Sequence, residues 1–229
     1  MDLEEVETGA PRVRSRSGSL RITEIFRSLQ GESASAGWPT VFVRLTGCPL
    51  RCVYCDSAYA FKGGQWMGVD EIVATVAGYR TRRVCVTGGE PLAQPECRSL
   101  LVRLADAGYR VSLETSGALA IDAVDPRVRI VMDLKTPASG EMARNHWENL
   151  QHLKPDDEIK FVIGGRADFD WAMERVIQHT LDRRFQVLFS PVFDLVEPRE
   201  LAEWLLATGR ELRMQLQMHK QLWGEEPGR

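Results

Sequence analysis

Three cysteines within eight residues form the densest group of reactive side chains in the sequence. Cys48, Cys52 and Cys55 follow the spacing C-x3-C-x2-C. Three thiolates on one loop can hold a metal centre, but they cannot complete a four-thiolate site. An iron–sulfur cube usually takes four cysteine ligands, so a cube bound here would keep one iron without a protein ligand. That open iron could bind a substrate or a cosubstrate.

A zinc site is the main alternative for these cysteines. Structural zinc takes four ligands, commonly as one C-x2-C pair and a distant second pair, and the sequence has no second pair. The other two cysteines, Cys85 and Cys97, fall within a predicted strand and at the start of a predicted helix. His219 could in principle complete a zinc site. The spacing, with Tyr54 before the last cysteine, favours the iron–sulfur interpretation.

Length, charge and composition narrow the class of protein. A chain of 229 residues fits one domain, and we expect residues 21–229 to form it and residues 1–20 to be a disordered tail. The net charge of −3 argues against a nucleic-acid partner.

No apolar run approaches the roughly 20 residues of a membrane span, and the acidic start lacks the apolar region of a secretory signal. Five cysteines, three of them clustered, fit a reducing compartment, so we expect a cytoplasmic protein without a membrane partner.

Strand and helix patterns alternate along the chain. An extended segment covers residues 21–29, and seven strands are predicted over residues 40–45, 83–86, 110–113, 128–132, 158–163, 186–189 and 212–216. Helices are predicted over residues 69–79, 96–107, 141–153, 168–181 and 198–208. This alternation predicts an α/β fold with a parallel sheet and helical crossovers. Seven strands are too few for a complete eightfold barrel, so we expect a partial (incomplete) parallel β/α barrel.

Polar and glycine-rich segments follow these predicted strands directly. They are the cysteine loop and residues 87–91, 114–117, 133–137, 164–165, 190–191 and 217–220. The carboxyl ends of parallel barrel strands share one face, where barrel active sites are built. Segments far apart in sequence should therefore converge over one cavity.

Two of these segments resemble a known superfamily. The cysteine triplet with Tyr54, and Gly88-Gly89-Glu90-Pro91 after the second strand, are similar to the motifs of the radical S-adenosylmethionine (SAM) superfamily. The resemblance implies that three cysteines hold a 4Fe-4S cluster and that SAM chelates the fourth iron. It also implies that a 5′-deoxyadenosyl radical abstracts hydrogen from the substrate.

A closer resemblance extends over residues 22–224. Leu29-Gln30-Gly31-Glu32, Arg44, Asp56-Ser57 and His219-Lys220 resemble the 7-carboxy-7-deazaguanine synthase (QueE) family. The resemblance implies a lyase of queuosine and other 7-deazapurine biosynthesis. Its reaction would convert 6-carboxy-5,6,7,8-tetrahydropterin to 7-carboxy-7-deazaguanine and ammonia with Mg²⁺. It also implies a homodimer, and flavodoxin is the expected electron donor.

The resemblance assigns a role to each matching residue. Cys48, Cys52 and Cys55 would hold one cluster per subunit, and Ser57 would bind Mg²⁺. SAM would contact Tyr54, Cys55, Asp56, Gly88, Gly89, Glu90, Glu114, Thr115, Ser116, Asp133, Leu134 and Lys135. The pterin substrate would contact Leu29, Gln30, Gly31, Glu32, Arg44, Thr87 and His219.

Two assignments have a simple physical basis. Gly88 and Gly89 carry no Cβ, so the backbone can approach the cosubstrate closely. The Arg44 guanidinium can grip the substrate carboxylate with two parallel hydrogen bonds; the alternative is a surface arginine on an edge strand. In some family members the terminal carboxylate closes the substrate site. This chain continues past His219, so we assign no such role to Arg229.

Two other functions are compatible with the cysteine triplet. A glycyl-radical-enzyme activase shares the compact radical scaffold and the same spacing. A zinc-stabilised binding module would have no catalytic activity. The segment Leu29–Glu32 and the pair Asp56-Ser57 favour the pterin enzyme over the activase. The colour and metal content of the anaerobically purified protein would distinguish the zinc module, because zinc sites are colourless and iron–sulfur proteins are brown.

Overall fold

The computed structural model describes residues 18–224, 226 and 228. Residues 1–17, which make up most of the predicted disordered tail, lie outside this part of the chain, as do residues 225, 227 and 229. The first strand already begins at Ser19, two residues before the predicted start of the domain.

One open sheet of nine strands contains all the strands of the described residues. The strands are β1 (Ser19–Leu29), β2 (Pro39–Leu45), β3 (Gln65–Gly68), β4 (Arg83–Gly88), β5 (Arg110–Thr115), β6 (Arg129–Asp133), β7 (Glu158–Ile163), β8 (Gln186–Pro191) and β9 (Arg213–Met214). Their order is β3-β1-β2-β4-β5-β6-β7-β8-β9. The strands β2 and β4 to β9 pair in parallel. At the other edge, β1 is antiparallel to β2, and β3 is antiparallel to β1. The predicted partial parallel barrel is confirmed; the sequence did not indicate β3.

Most helices of the described residues cover the outer face of this sheet, and the last one lies beside the end of β1. They are α1 (Val69–Ala77), α2 (Cys97–Asp106), α3 (Arg166–His179), α4 (Leu181–Arg184), α5 (Pro198–Thr208) and α6 (Met218–Trp223). Apolar residues spaced four apart, such as Ile72 and Val76 in α1 or Leu201 and Leu205 in α5, form buried stripes on the longer helices, whereas α6 has no buried residue. In the described residues, no helix is both long and apolar enough to cross a membrane.

The helix predicted over residues 141–153 is wrong. The chain there forms two 3₁₀ turns, Met142–Arg144 and Trp147–Gln151. The Asn145 side chain bonds to both the backbone N–H and the carbonyl of Lys135, and Asn149 accepts from the Ile121 N–H. Asparagine side chains that bond to the backbone compete with continuous helix. Here they tie the segment to the neighbouring loops.

Along the parallel strands, side chains point alternately into the hydrophobic core and into the cavity. Successive side chains of a strand point to opposite faces. Val43, Val86, Leu113, Met132 and Phe161 are fully buried in the core. The residue next to each of these in the strand is polar and faces the concave side of the sheet. These polar residues are Arg44, Thr87, Glu114, Asp133 and Lys160. The inner wall of the barrel is therefore an array of polar and charged groups.

Candidate active site

A cavity of about 760 Å³ occupies the inside of the barrel. All the residues that the sequence analysis assigned to the site line it, except Glu90 and Leu134. The fold thus brings together segments from the start, middle and end of the chain, as the position of the polar segments after the strands predicted. The individual role of each residue stays a prediction.

Glu90 lies behind the cavity wall. It is fully buried, and its carboxylate accepts hydrogen bonds from Thr115 Oγ1 at 2.9 Å, Ser116 N at 2.7 Å and Leu92 N at 3.0 Å. These contacts hold the turn after β5 in place. Glu90 is therefore placed to orient Thr115 and Ser116, which do line the cavity. Leu134 is also fully buried and belongs to the hydrophobic core.

The two glycines after β4 allow a close approach of backbone to backbone. A Cβ on Gly88, whose φ is +149°, would collide with the carbonyl oxygen of Leu45, and a Cβ on Gly89 would collide with that of Gly47. Glu90 N donates to the Gly47 carbonyl at 2.9 Å. Glycine is needed here so that the end of β4 can pack against the start of the cysteine loop.

The cysteine loop is fixed by hydrogen bonds at several points. Gly47 N donates to the Ala60 carbonyl at 2.8 Å, and Val53 N donates to the Ser139 carbonyl at 3.0 Å. Arg51 Nη1 donates to the Cys48 carbonyl at 2.8 Å. The loop is therefore preorganised, with its three cysteines free of disulfides and facing the cavity.

The donor set fits an iron–sulfur cube better than a single metal ion. The loop contributes three cysteines, which matches a cube that keeps one iron open, whereas structural zinc takes four protein ligands. In a cube, three thiolates bind three different irons. Leu50 N points at Cys48 Sγ, 3.4 Å away, and the Lys135 ammonium lies close enough to favour the thiolate forms of Cys48, Cys52 and Cys55.

Burial nevertheless keeps these thiols protonated in the absence of iron. It raises the pKa of Cys48 to about 11 and raises the pKa of Cys52 and Cys55. A thiolate ligand must lose its proton, so cluster binding at this loop releases protons.

A charged network lines the cavity wall around Glu32 and Lys160. Lys160 forms an ion pair with Glu32, which also accepts from Gln217 Nε2 at 2.8 Å. Burial alone would raise the pKa of Glu32, but Lys160 outweighs it and holds that pKa below its usual value. Glu114 accepts from Gln30 Nε2 at 3.2 Å, and burial, together with Glu32, raises its pKa.

The sequence analysis missed Lys160 and Gln217. A signal for Lys160 is present: it is a charged residue between Ile159 and Phe161, on a strand that is otherwise apolar at its centre. Arg44 interrupts the apolar strand β2 in the same way. Gln217 lies in the polar segment 217–220 after the last predicted strand, but nothing distinguishes it within that segment, because an uncharged amide after a short strand is common in loops.

Arg44 lies on the inner wall and not at an edge. Its strand, β2, pairs with β1 on one side and β4 on the other. Arg44 Nε donates to Glu24 Oε1 at 2.6 Å, and the Tyr59 hydroxyl donates to the same oxygen at 2.9 Å. The guanidinium also lies 5.7 Å from the centre of the Tyr59 ring. Within the described residues, these contacts use Nε and the face of the guanidinium, so the terminal nitrogens can donate to a ligand, and the alternative of a surface arginine is wrong.

The C-terminal segment closes one side of the cavity. Met218 N donates to the Gly31 carbonyl at 3.1 Å, and the His219 ring packs so closely on Gly31 that no Cβ would fit there. Burial lowers the pKa of His219, so its imidazole is neutral at pH 7. Glu226 also lines the cavity, whereas Arg229 lies outside the described residues.

Comparisons with known proteins agree with this geometry. Residues 42–178 match the family model of the radical SAM superfamily. The chain is 45% identical over 215 residues to the 7-carboxy-7-deazaguanine synthase of Chlorobaculum tepidum, covering 93% of this chain and 98% of that protein. It is 46% identical over 222 residues to the protein of the same name from Koribacter versatilis, covering 90% and 98%.

A solved structure supports the fold. The crystal structure of QueE from Escherichia coli superposes with a TM-score of 0.73 at 24% identity, covering 88% of this chain and 95% of that chain. The Streptococcus suis SuiB structure bound to its precursor peptide is more distant, with a TM-score of 0.56 and 13% identity over 75% of this chain and 46% of that chain. By its motifs and by these similarities, the chain belongs to the radical SAM superfamily and, within it, to the 7-carboxy-7-deazaguanine synthase family.

Proposed function

We propose that this protein converts 6-carboxy-5,6,7,8-tetrahydropterin to 7-carboxy-7-deazaguanine and ammonia. One observation carries the proposal beyond family membership: a single cavity exposes the cysteine triplet together with a cationic group, Arg44, and an anionic group, Glu32. A carboxypterin presents complementary groups, because it has a carboxylate at one end and N–H donors on its pyrimidine edge.

Arg44 and Glu32 would orient the substrate. The terminal nitrogens of Arg44 can form two parallel hydrogen bonds with the substrate carboxylate. The two Glu32 oxygens each keep acceptor capacity beyond their bonds to Lys160 and Gln217. They can therefore accept from the pyrimidine N–H groups. His219 is neutral at pH 7 and can donate or accept one hydrogen bond at the same wall.

Cys48, Cys52 and Cys55 would hold the cluster with one thiolate each, leaving one iron for SAM. The bound cluster and SAM would supply a carbon radical that takes a hydrogen atom from C6 of the pterin; after the ring contracts, a hydrogen atom would return from 5′-deoxyadenosine and ammonia would leave. Lys135 is paired with Asp133 at 2.7 Å and offsets part of the thiolate charge. Tyr54 and the turn at Thr115-Ser116 border the space proposed for SAM.

Ser57 would contribute an oxygen to Mg²⁺. Its hydroxyl lies in the cavity and donates to Asp56 Oδ1 at 2.9 Å, which leaves the hydroxyl oxygen able to face a cation. Mg²⁺ prefers oxygen ligands and keeps several waters, so one protein ligand beside substrate oxygens is sufficient. Its role would be to orient the substrate and polarise its oxygens.

Electron delivery, assembly and location complete the proposal. Val53, between two of the cysteines, is 81% exposed, so the loop is accessible to an electron donor such as flavodoxin. A homodimer and a cytoplasmic location are proposed from the family resemblance and the clustered reduced cysteines.

An anaerobic assay tests the proposal. Cluster-reconstituted protein is incubated with SAM, reductant, Mg²⁺ and the carboxytetrahydropterin, and 5′-deoxyadenosine and 7-carboxy-7-deazaguanine are measured by mass spectrometry. Both products are expected, and chelation of Mg²⁺ should lower the rate. Formation of 5′-deoxyadenosine without consumption of the pterin would contradict the proposal and favour another radical SAM reaction. Colourless protein containing zinc would contradict it at the level of the cofactor.

A further inference from the structure

Gln217 joins two carboxylates that lie far from it in sequence. Its side-chain Nε2 donates to Glu32 Oε1 at 2.8 Å and to Asp56 Oδ2 at 3.1 Å. A primary amide has two N–H donors, so each carboxylate can receive one. The amide oxygen does not suit this place, because it would face two acceptors.

The two carboxylates come from different segments of the chain that meet in the cavity. Glu32 ends the segment that follows β1, and Lys160 holds its other oxygen. Asp56 directly follows the last cysteine, and its other oxygen accepts from the Ser57 hydroxyl at 2.9 Å. Gln217 is therefore the bridge between the proposed pterin-binding segment and the corner that carries the proposed magnesium ligand.

The backbone of Gln217 is itself anchored to the pterin-binding segment. Gln215 Nε2 donates to the Ser33 carbonyl at 2.9 Å, and Gln215 Oε1 accepts from Ser33 N. On the other side, Met218 N donates to the Gly31 carbonyl at 3.1 Å. With Gln215 and Met218 fixed on either side, the Gln217 amide has little freedom to leave the two carboxylates.

We propose that Gln217 is a positioning residue for the pterin site. It fixes the separation between Glu32, which would receive the pyrimidine edge of the substrate, and the Asp56-Ser57 corner. This inference rests on the proposed function. Without the amide, two carboxylates would face each other with no shared donor, and like charges at short range repel. The site would then widen and lose its fit to the substrate.

Paired variants test this inference. Gln217→Ala removes the bridge, Gln217→Glu places a third carboxylate there at equal size, and Gln217→Asn keeps the amide on a shorter stem. Gln221, which is exposed in α6 four residues later, gives matched controls in Gln221→Ala and Gln221→Glu. Affinity is measured from the intrinsic fluorescence of 6-carboxypterin, and KM and kcat are measured with the carboxytetrahydropterin.

The expected result is a split between binding and turnover. Loss of hydrogen bonds to charged groups should raise Kd and KM by about tenfold or more in Gln217→Ala, with a smaller change in kcat. Gln217→Glu should be worse, and Gln217→Asn should recover part of the affinity. Equal Kd and KM values in the Gln217 and Gln221 variants would overturn the inference.

Amide hydrogen exchange separates this inference from the proposed function. Exchange in residues 30–33 should be faster in Gln217→Ala than in Gln221→Ala, with or without ligand. If the wild-type protein neither binds nor converts the pterin, the proposed function fails. Unchanged exchange in Gln217→Ala would overturn the positioning role, whatever the substrate.

Discussion

Lys160 of β7 forms an ion pair with Glu32, 128 residues earlier in the chain, on the inner wall of the barrel. Their side chains are only 12% and 11% exposed. Burial would lower the pKa of Lys160 and raise that of Glu32, but the pairing outweighs burial in both cases. Both groups are therefore charged at neutral pH, and each depends on the other.

Removing one partner of this pair should destabilise the protein strongly. We expect Lys160→Met to lower the free energy of unfolding by about 3–5 kcal/mol, because it leaves a buried carboxylate without its counter-charge. Urea denaturation at pH 7 measures this. Arg103→Met is the control, since Arg103 pairs with Asp70 at the surface with side chains 54% and 78% exposed, and such pairs contribute about 0–1 kcal/mol. Equal effects of the two substitutions would contradict the prediction.

Arg44 should determine the preference for a carboxylated ligand. We expect Arg44→Gln to bind 6-carboxypterin at least about tenfold more weakly, since a charge-assisted pair is lost. Its affinity for pterin without the carboxylate should change little. The ratio of the two Kd values is the measurement, and Arg110→Gln, at an exposed strand start, is the control. An unchanged ratio in Arg44→Gln would show that another residue binds the carboxylate.

The three loop cysteines should be necessary for the cluster, and the other two should not. Replacing Cys48, Cys52 or Cys55 by Ser is expected to abolish iron binding and the brown colour after reconstitution, because a hydroxyl replaces a thiolate ligand. Cys97→Ser is the control; Cys97 is fully buried in the core, so this variant should lose stability but keep its iron. Iron analysis and visible absorption distinguish these outcomes. A Cys97→Ser protein that is folded but without iron would indicate a different ligand set.

Glu90 should act through the turn that it holds. In Glu90→Gln, an amide N–H₂ replaces one acceptor oxygen and faces the donors of Thr115 and Ser116. We expect a loss of about 1–3 kcal/mol in the free energy of unfolding, from unsatisfied buried groups, and weaker SAM binding. Chemical denaturation and equilibrium dialysis measure the two effects. Glu203→Gln, on the exposed face of α5, should change neither; unchanged SAM affinity in Glu90→Gln would refute the link.

His219 should make stability depend on pH near neutrality. Burial lowers its pKa in the folded state, so the unfolded chain binds its proton at a higher pH, near 6.5. Stability from this group is therefore present above about pH 6.5 and is lost as the pH falls through that window. His219→Gln should reduce the decline in unfolding free energy between about pH 7.5 and 5. Burial also lowers the pKa of His179, so His179→Gln should reduce the decline further and independently. An unaltered decline in His219→Gln would contradict this.

Much of what the sequence determined came from the spacing of residues close together in the chain. The thiols of Cys48, Cys52 and Cys55 share one loop whatever the fold around it, so their metal chemistry could be inferred from the spacing. Short apolar runs predicted the seven parallel strands, and helical periodicity predicted most helices, because each pattern reflects residues turned to the core. Polar segments after these strands predicted the common cavity.

The tertiary structure alone decided the partners and the orientations. Lys160 pairs with Glu32, and Gln217 bonds to Asp56, only because the barrel brings distant segments together. No local sequence pattern predicts such pairs. Glu90 turns away from the cavity because Thr115 and Ser116 satisfy its carboxylate from another strand. The segment 141–153 has a helical pattern, but Asn145 and Asn149 bond to neighbouring loops instead. In each case a long-range hydrogen bond or ion pair outweighs the local preference, since a buried polar group must find its partner wherever the fold supplies it.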